Sequence, residues 1–286
     1  MLIRLAGRHR TLAFTRGAVA TLVALTAAAA SAQTPASAPT GLPDSFQIDT
    51  GAFLIDADTR LRFQGDEVQF ERDLQLDDTA GTFWVDGTWR VSRRHQVKLS
   101  YTRLSRESRG VTLQRDITWG GQVYSAGLTA SATNDTDILT GYYRFALVRN
   151  DRFEIGPALG IGYLWLSAGI RASGSVSGPE AGTSVTLEHA ARTGSITGDV
   201  GGYAIAWPHR RVALRADLLY IRVKPDESDA SVTDWRLAAD FYPFRNAGIG
   251  VQYKYYKYRY DRGILSSQLG GEIAYRGAQL YLSFLF

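Results

Sequence analysis

The sequence predicts an all-β protein, an antiparallel transmembrane up-and-down β-barrel of about ten strands, with eight or twelve as the alternative counts. Three observations support this prediction. From Phe46 to the end, apolar and polar residues alternate in steps of two, which is the period of strands. The final stretch, residues 271–286, has one continuous apolar face. Short and long connections alternate along the chain, as an up-and-down barrel requires.

The amino terminus reads as an export signal followed by a leader. Four arginines precede the apolar run 17–30, and Ala30-Ser31-Ala32 forms a small-residue cleavage pattern. Residues 1–32 are therefore a predicted signal peptide, since about 14 apolar residues are too few for a spanning helix. Residues 33–44 are rich in proline and small residues and predict a flexible periplasmic leader. Residues 45–286 are predicted to form one barrel domain.

Charge and cysteine content exclude several classes of function. The formal net charge of +4 belongs to the arginines of the export signal, so the sequence offers no argument for nucleic-acid binding. The chain has no cysteine, which excludes a disulfide framework, a lipoprotein anchor and a thiolate metal site. No cluster has metal-ligand spacing and no phosphate-binding glycine loop opens a helix, so no cofactor is predicted.

The inward face of each strand is predicted from its charge. An outward Arg or Lys near the bilayer midplane costs roughly 2–4 kcal/mol, so the charged face is expected to line the lumen. In the first strand this rule places Asp56, Asp58, Arg60 and Arg62 inside, as an internal ladder of ion pairs. The other predicted lumen ion pairs are formed by Asp86, Asp199, Asp217 and Asp240 with Arg90, Arg144, Arg215, Arg236 and Lys254. Such mixed charge in a narrow barrel predicts a lumen largely plugged by side chains.

The last strand carries a predicted assembly signal. Leu280, Leu282, Phe284 and Phe286 lie on one face, and Phe286 ends the chain. An aromatic residue closing such a strand resembles the assembly signal of bacterial outer-membrane β-barrels, in which the final strand pairs with the first. This resemblance implies an outer-membrane location, both termini in the periplasm, and the barrel-assembly machinery as a partner.

The alternation over residues 46–286 as a whole resembles small outer-membrane barrels of the OmpA-like and OmpW-like style. The segment FERDLQL, residues 70–76 in the first predicted loop, is similar to the acidic-leucine segment of uncharacterised proteobacterial barrels. Neither resemblance implies an established activity.

Basic residues extend the outward rows of several strands beyond the apolar band. They are Arg103, Arg222, Lys257, Arg259 and Arg276. Two interpretations stay open for them. They either extend into water, as long basic side chains do at any interface, or they bind lipopolysaccharide phosphates. Outer-membrane lipid and lipopolysaccharide are therefore the predicted partners, and the oligomeric state is not predicted.

The sequence predicts no catalytic constellation. Asp56 and Asp58 lack the Asp-x-His pair of omptin-like proteases, and His189 lacks the His-x-Ser spacing of lipid A deacylases. His95 and His209 fall in predicted turns, where solvated residues are common. We expect a structural or surface-interaction role with at most narrow permeability. A small-solute channel is the first alternative, and a surface hydrolase acting on lipid or peptide is the second.

Overall fold

The computed structural model describes residues 46–64, 66–76, 82–175, 184–223, 230–260 and 269–286. The predicted signal peptide and leader lie outside the described residues. No helix in this part of the chain is long and apolar enough to cross a membrane. Ten long strands form one sheet: β1 Phe46–Phe63, β3 Thr82–Arg90, β4 His95–Thr112, β7 Thr129–Phe145, β9 Phe153–Ser175, β10 Ser184–His209, β11 Val212–Val223, β12 Ala230–Phe241, β13 Ala247–Tyr260 and β14 Leu269–Leu285.

Five short elements accompany the ten strands. They are β2 Glu67–Gln69, α1 Phe70–Asp73, β5 Ile117–Trp119, β6 Gln122–Tyr124 and β8 Val148–Arg149. Strands β5 and β6 form a separate hairpin, whose Gly120-Gly121 turn has positive φ at both residues. Only glycine adopts two such conformations in succession without strain, which explains the residue pair at this tight turn.

The ten long strands close into an antiparallel barrel. Each pairs with its neighbour in sequence, and β14 pairs with β1 over 17 residues. The Phe46 amide donates to the Phe286 carbonyl at 3.2 Å, and the Phe286 amide donates to the Phe46 carbonyl at 2.8 Å. Closure satisfies the backbone groups that an edge strand would expose. The predicted fold class and the count of ten strands are confirmed.

The two ends of the barrel differ. One end, the turn end, carries the short connections 91–94, 146–152, 210–211 and 242–246, together with Phe46 and Phe286. The other connections leave the opposite end, the loop end. Strands β9 and β10 have 23 and 26 residues, whereas a tilted strand needs only about 9–11 residues to span a bilayer. The barrel wall therefore continues beyond the membrane on the loop side, through positions predicted to be loop.

An apolar band surrounds the half of the barrel next to the turn end, here called the turn half. It is formed by exposed side chains such as Leu54, Leu99, Ile161, Leu218, Val251 and Leu280. Outward aromatic residues border it on both sides, as they do in membrane barrels. Those at the turn end are Phe46, Trp89, Phe153, Phe241, Phe244 and Phe286; those toward the loop end are Tyr101, Tyr163, Trp165, Tyr220, Trp235, Tyr253 and Tyr255. The turn half is therefore the membrane-spanning part.

Polarity reverses in the other half, the loop half. Its interior is apolar and buried, with Leu61, Leu104, Ile138, Leu164 and Ile170 among its side chains. Its outer face is polar and carries ion pairs, described below. Strands such as β1, β4, β7 and β9 run continuously through both halves, so each of them exchanges the polarity of its two faces part of the way along. Strand β3 has only nine residues and lies in the turn half.

This reversal makes the prediction for the first strand wrong. Asp56, Asp58, Arg60 and Arg62 face outward, and Ile55 and Leu61 are buried inside. The cost of an outward charge applies only within the hydrocarbon, and positions 56–62 lie beyond the apolar band. The four charges form surface pairs instead of an internal ladder. Their salt bridges are Asp58–Arg60 at 2.9 Å, Asp56–Arg276 at 2.8 Å and Arg62–Glu67 at 3.5 Å.

Candidate functional site

A buried network of ion pairs fills the centre of the turn half. Arg236 is its hub: Nη1 lies 3.0 Å from Asp86, Nε lies 3.3 Å from Asp217, and Nη2 lies 3.4 Å from Asp234. Lys98 Nζ adds a 2.7 Å contact to Asp86. Alternation points these side chains from β3, β4, β11 and β12 toward the barrel axis, where no water shell can replace a missing partner. The lumen at this level is therefore occupied by its own charges.

A second group of polar contacts lies closer to the turn end. Arg215 donates to Asp49 at 2.7 Å, to Asp240 at 2.8 Å and to the Tyr281 hydroxyl at 2.8 Å. The Tyr281 hydroxyl in turn donates to Asp240 at 2.5 Å. These contacts join β1, β11, β12 and β14 across the lumen.

Glu154 is the centre of a third group of polar contacts, on the other side of the lumen near the turn end. Its carboxylate accepts hydrogen bonds from Arg90 at 3.0 Å and from the Tyr203 hydroxyl at 2.7 Å, and it lies 3.4 Å from Arg149. Gln96 also donates to it. A fully buried carboxylate needs such partners, because an unpaired charge in the interior is strongly unfavourable.

The structure brings most of the predicted lumen residues together. Arg144 donates to Asp217, in addition to the pairs formed by Asp86, Arg215, Arg236 and Asp240. Lys254 lies 4.0 Å from Asp234, with its ammonium over the rings of Tyr256 and Tyr275.

Asp199 is an exception among these residues. Its carboxylate leans over Gly160, where a Cβ would clash with it, and its buried Oδ1 has no hydrogen-bond partner among the described residues. The sequence reasoning also left Asp49, Lys98 and Glu154 out of the network. Two-residue alternation was the signal that could have placed their side chains inside.

Little space remains between these side chains. A cavity of ≈ 20 Å³ lies at the turn end beside Arg90 and Arg215, and another of ≈ 10 Å³ lies beside Lys98 and Arg236. Each volume is about that needed for a single water molecule. The arrangement therefore leaves no continuous space for a hydrated solute at either place.

A lid fills the mouth of the loop half; we define it as residues 66–76 together with residues 113–128. The two segments are joined by backbone hydrogen bonds, since the Asp66 amide donates to the Thr118 carbonyl at 3.0 Å. The Gly120 amide also ties the lid to the end of β1, by donating to the Phe63 carbonyl at 2.8 Å.

The large apolar side chains around Trp119 point from the lid into the barrel. Trp119 contacts Phe70 and Phe63 with ring centroids 5.6 and 5.5 Å apart. They pack with Leu74, Ile117 and Tyr124 in one buried cluster that includes the apolar barrel wall. The apolar interior of the loop half is thus a packed core and not an open channel.

Polar anchors hold the first lid segment. Arg106, buried in the wall, donates to Glu71 at 2.6 Å and also to Thr59 and, at 3.3 Å, to Asn134. Glu71 accepts the Thr59 amide at 2.8 Å. Among the described residues, the hydrogen-bond partners of this buried arginine therefore lie on α1 and on the barrel wall.

Asp73 links the two lid segments. It lies 2.6 Å from Arg115 and 2.9 Å from Arg72. Partial burial opposes its ionisation, but the hydrogen bonds from Arg115, Arg72 and the Gln69 amide outweigh burial and lower the pKa of Asp73 to about 2. In the hairpin, burial and the nearby Glu188 raise the pKa of Tyr124.

The predicted lipopolysaccharide contacts lie on the outer surface at the border of the two halves. Lys257 and Arg259 share Glu272, at 2.7 and 2.5 Å. Arg276 pairs with Asp56, and Arg103 lies 3.9 Å from Asp137. Arg222 is exposed. This basic rim is therefore interleaved with carboxylates, and an anion that binds there has to compete with them.

The three histidines among the described residues lie apart. His95 Nδ1 is 2.6 Å from the Tyr143 hydroxyl near the turn end, and His209 Nδ1 accepts the Arg211 amide at 3.2 Å in a turn. His189 lies in the mouth, with its ring 5.3 Å from that of Phe63 and packed over Gly120. Among the described residues, no group of three or more His, Cys, Asp and Glu side chains could hold a metal ion.

Comparisons with known proteins agree with this fold. No family model matches the chain, and no curated protein is found to be similar to it. The outer-membrane protease OmpT of Escherichia coli is 12% identical, with a TM-score of 0.51 over 85% of this chain and 97% of OmpT. This likeness concerns the fold, and it identifies the chain as a barrel of the outer-membrane type.

Two further solved barrels are similar over most of their length. The attachment invasion locus protein Ail of Yersinia pestis is 12% identical, with a TM-score of 0.38 over 86% of this chain and 100% of Ail. The toluene transporter TodX of Pseudomonas putida is 7% identical, with a TM-score of 0.36 over 86% of this chain and 90% of TodX. At these TM-scores neither match bears on function.

Proposed function

We propose that this protein is a closed barrel of the outer membrane whose role is interaction at the cell surface, with at most narrow permeability and no catalytic role. The observation that carries the proposal is that the lumen is filled in both halves, by ion pairs in one and by apolar side chains in the other. Arg236 and its carboxylates fill the turn half, and Trp119 with the rest of the lid fills the loop half. A path for solutes would have to open both.

The orientation and export route belong to the same proposal. We place the turn end, with Phe46 and Phe286, in the periplasm and the loop end outside, after cleavage of residues 1–32. The short connections at the turn end fit this orientation. Leu280, Leu282 and Phe286 are exposed on the outer face of β14, where the assembly machinery could recognise them as a signal.

We further propose lipopolysaccharide as the main surface partner. Arg276 and its partner Asp56 are 60% and 58% exposed, and water and salt screen such an exposed ion pair, which therefore contributes little. A phosphate group can therefore compete for Arg276, Arg259 and Lys257 at the level where lipid headgroups lie. An arginine offers such a group a planar fork and a lysine offers a point charge.

Electrical recording tests the closed lumen. We expect the purified full chain in planar bilayers to show no stable conductance. A variant with residues 113–128 replaced by a short Gly-Ser linker should also fail to conduct, because the ion-pair network remains below it. Stable steps in the parent would contradict the proposal and favour the small-solute channel. Steps in the lid variant alone would show that the network is not a barrier.

A further inference from the structure

An open groove lies on the outer surface of the loop half, across β4, β7, β9 and β10. Its volume is ≈ 450 Å³. The floor consists of small side chains, namely Ser131, Thr133, Gly169 and Ala190. A Cβ atom at Gly169 would lie 3.1 Å from Thr133 Oγ1 and 3.6 Å from the Ala190 Cβ, so glycine keeps the floor low.

Two ion pairs form the walls of the groove. Glu107 and Arg109 lie on the β4 side at 2.7 Å, and Arg171 and Glu188 lie on the β9–β10 side at 2.7 Å. All four side chains are more than half exposed. Such exposed pairs contribute little to stability. Either arginine can therefore turn toward an anionic ligand, and either carboxylate can accept hydrogen bonds from hydroxyl groups.

The height of the groove above the membrane follows from the strand register. Gly169 lies opposite Thr133 on β7 and Ala190 on β10. It is four residues beyond Trp165, which belongs to the aromatic belt. Four residues advance about 13 Å along a strand, or about 10 Å along the membrane normal for a tilt of roughly 40°. The groove therefore lies just outside the headgroup layer.

We propose that this groove binds the anionic inner sugars of lipopolysaccharide, an inference that rests on the orientation and partner given under the proposed function. At this height the lateral neighbours of a barrel in the outer leaflet are the sugar chains of adjoining lipopolysaccharide molecules. Inner sugars carry phosphate and carboxylate groups, which suit Arg109 and Arg171, and many hydroxyls, which suit Ser131 and Thr133.

The dimensions of the groove agree with this ligand. Four strands span three interstrand steps, or about 14 Å, which accommodates a short oligosaccharide lying across the strands. At this level β7 and β9 pair with both of their neighbours, so an extended peptide could not add to the sheet across the floor of the groove. The second partners of β4 and β10 lie nearer the turn end, up to Arg103 on β4 and from Val200 on β10. A soluble protein would have to displace the sugars before it reached the floor.

The test compares two ligands on the full-length barrel: lipopolysaccharide with a complete inner core, and lipid A alone. We expect the parent to bind the core-containing form more tightly. The double variant Arg109→Gln/Arg171→Gln should weaken binding of that form about tenfold, or about 1.4 kcal/mol, and leave lipid A binding within about twofold. The groove-filling variant Ala190→Tyr should show the same pattern. Heat-modifiable mobility verifies that each variant is folded.

The basic rim supplies the matched control. The triple variant Lys257→Gln/Arg259→Gln/Arg276→Gln should weaken the binding of both ligands to the same extent. The reason is that the phosphates of lipid A lie at the height of the basic rim. If the arginine variant binds core-containing lipopolysaccharide as tightly as the parent, the groove proposal is overturned, and a protein partner becomes the better occupant. If the parent binds neither ligand, lipopolysaccharide is not the surface partner, and both proposals fail.

Discussion

The turn half and the loop half solve opposite problems with strands that run through both. Where the outer face meets lipid, it must be apolar, and polar side chains such as Asp49 and Arg236 are directed into the lumen. Where the outer face meets water, Arg60 and Glu188 can lie outside, and the interior is filled by Leu61 and Trp119. The medium outside the barrel wall, lipid or water, thus determines whether polar or apolar side chains face the interior.

The difference extends to how each interior is held. In the turn half, specificity comes from pairing, since most of the buried carboxylates meet a particular cation or hydroxyl. In the loop half it comes mainly from packing, and the ion pair of Arg106 with Glu71 anchors the lid beside an apolar cluster. Substitutions in the turn half should therefore destabilise the whole barrel, whereas substitutions in the loop half should have local effects.

The largest effect is expected from Arg236→Ala. The substitution leaves Asp86, Asp217 and Asp234 short of their shared cation, and loss of one partner of a buried pair costs about 3–5 kcal/mol. We expect a clear loss of folded barrel in urea titrations followed by heat-modifiable mobility. The matched control is Arg60→Ala, because Arg60 belongs to an exposed pair worth about 0–1 kcal/mol. If both variants lose the same amount of folded barrel, the buried ion pairs are no more important for stability than the exposed ones.

A smaller effect on the whole barrel is expected from Trp119→Ala. Loss of this fully buried ring costs about 3–5 kcal/mol locally, but the damage should stay in the lid because the turn half has its own network. We expect protease cleavage within residues 113–128 while the barrel remains folded. Val123→Ala on the same hairpin is the control, because Val123 is 55% exposed. Global unfolding of the Trp119 variant would show that the two halves form one cooperative unit.

The smallest effect is expected from Asp73→Asn. The pKa of Asp73 is lowered from 3.8 to about 2, so its stabilising contribution is fully present above the ordinary pKa and is lost as the pH falls through about 2. Allowing for solvent screening, we expect the variant to destabilise the lid by about 1 kcal/mol at pH 7.

Hydrogen exchange over residues 113–128, corrected for the intrinsic rate, measures this difference. The parent should show constant protection between pH 7 and pH 4 and weaker protection near pH 2, and the difference between parent and variant should vanish there. A difference that persists at pH 2 would mean that the charge of Asp73 is not what holds the lid.

Alternation alone predicted the ten strands and the inward faces of the pairs around Asp86, Asp217 and Asp240. It did so because lipid imposes one rule on every strand in the turn half. The prediction failed at Asp56 to Arg62, where the surrounding medium changes and the sequence carries no mark of the change. In the loop half the inward side chains of β1 are apolar because the interior excludes water. In the turn half the outward side chains are apolar because lipid excludes water.

The lid could not be predicted from the pattern. Trp119 and Tyr124 lie within a segment expected to be a loop, and nothing local shows that they turn back into the barrel. Their burial depends on Phe70 and Ile170, which are distant in sequence and are brought together only by closure of the sheet. The outer groove has the same origin, since its floor combines small residues from three strands.

The ion-pair network also constrains the order in which the barrel can assemble. Arg236 and Asp86 are separated by 150 residues, and Arg215 and Asp49 are separated by 166. Neither pair can form until the first and last strands of the chain are brought together. Until then, the future lumen is a charged concave surface that must stay hydrated. We therefore expect expulsion of that water to be one of the last steps of folding, when β14 meets β1.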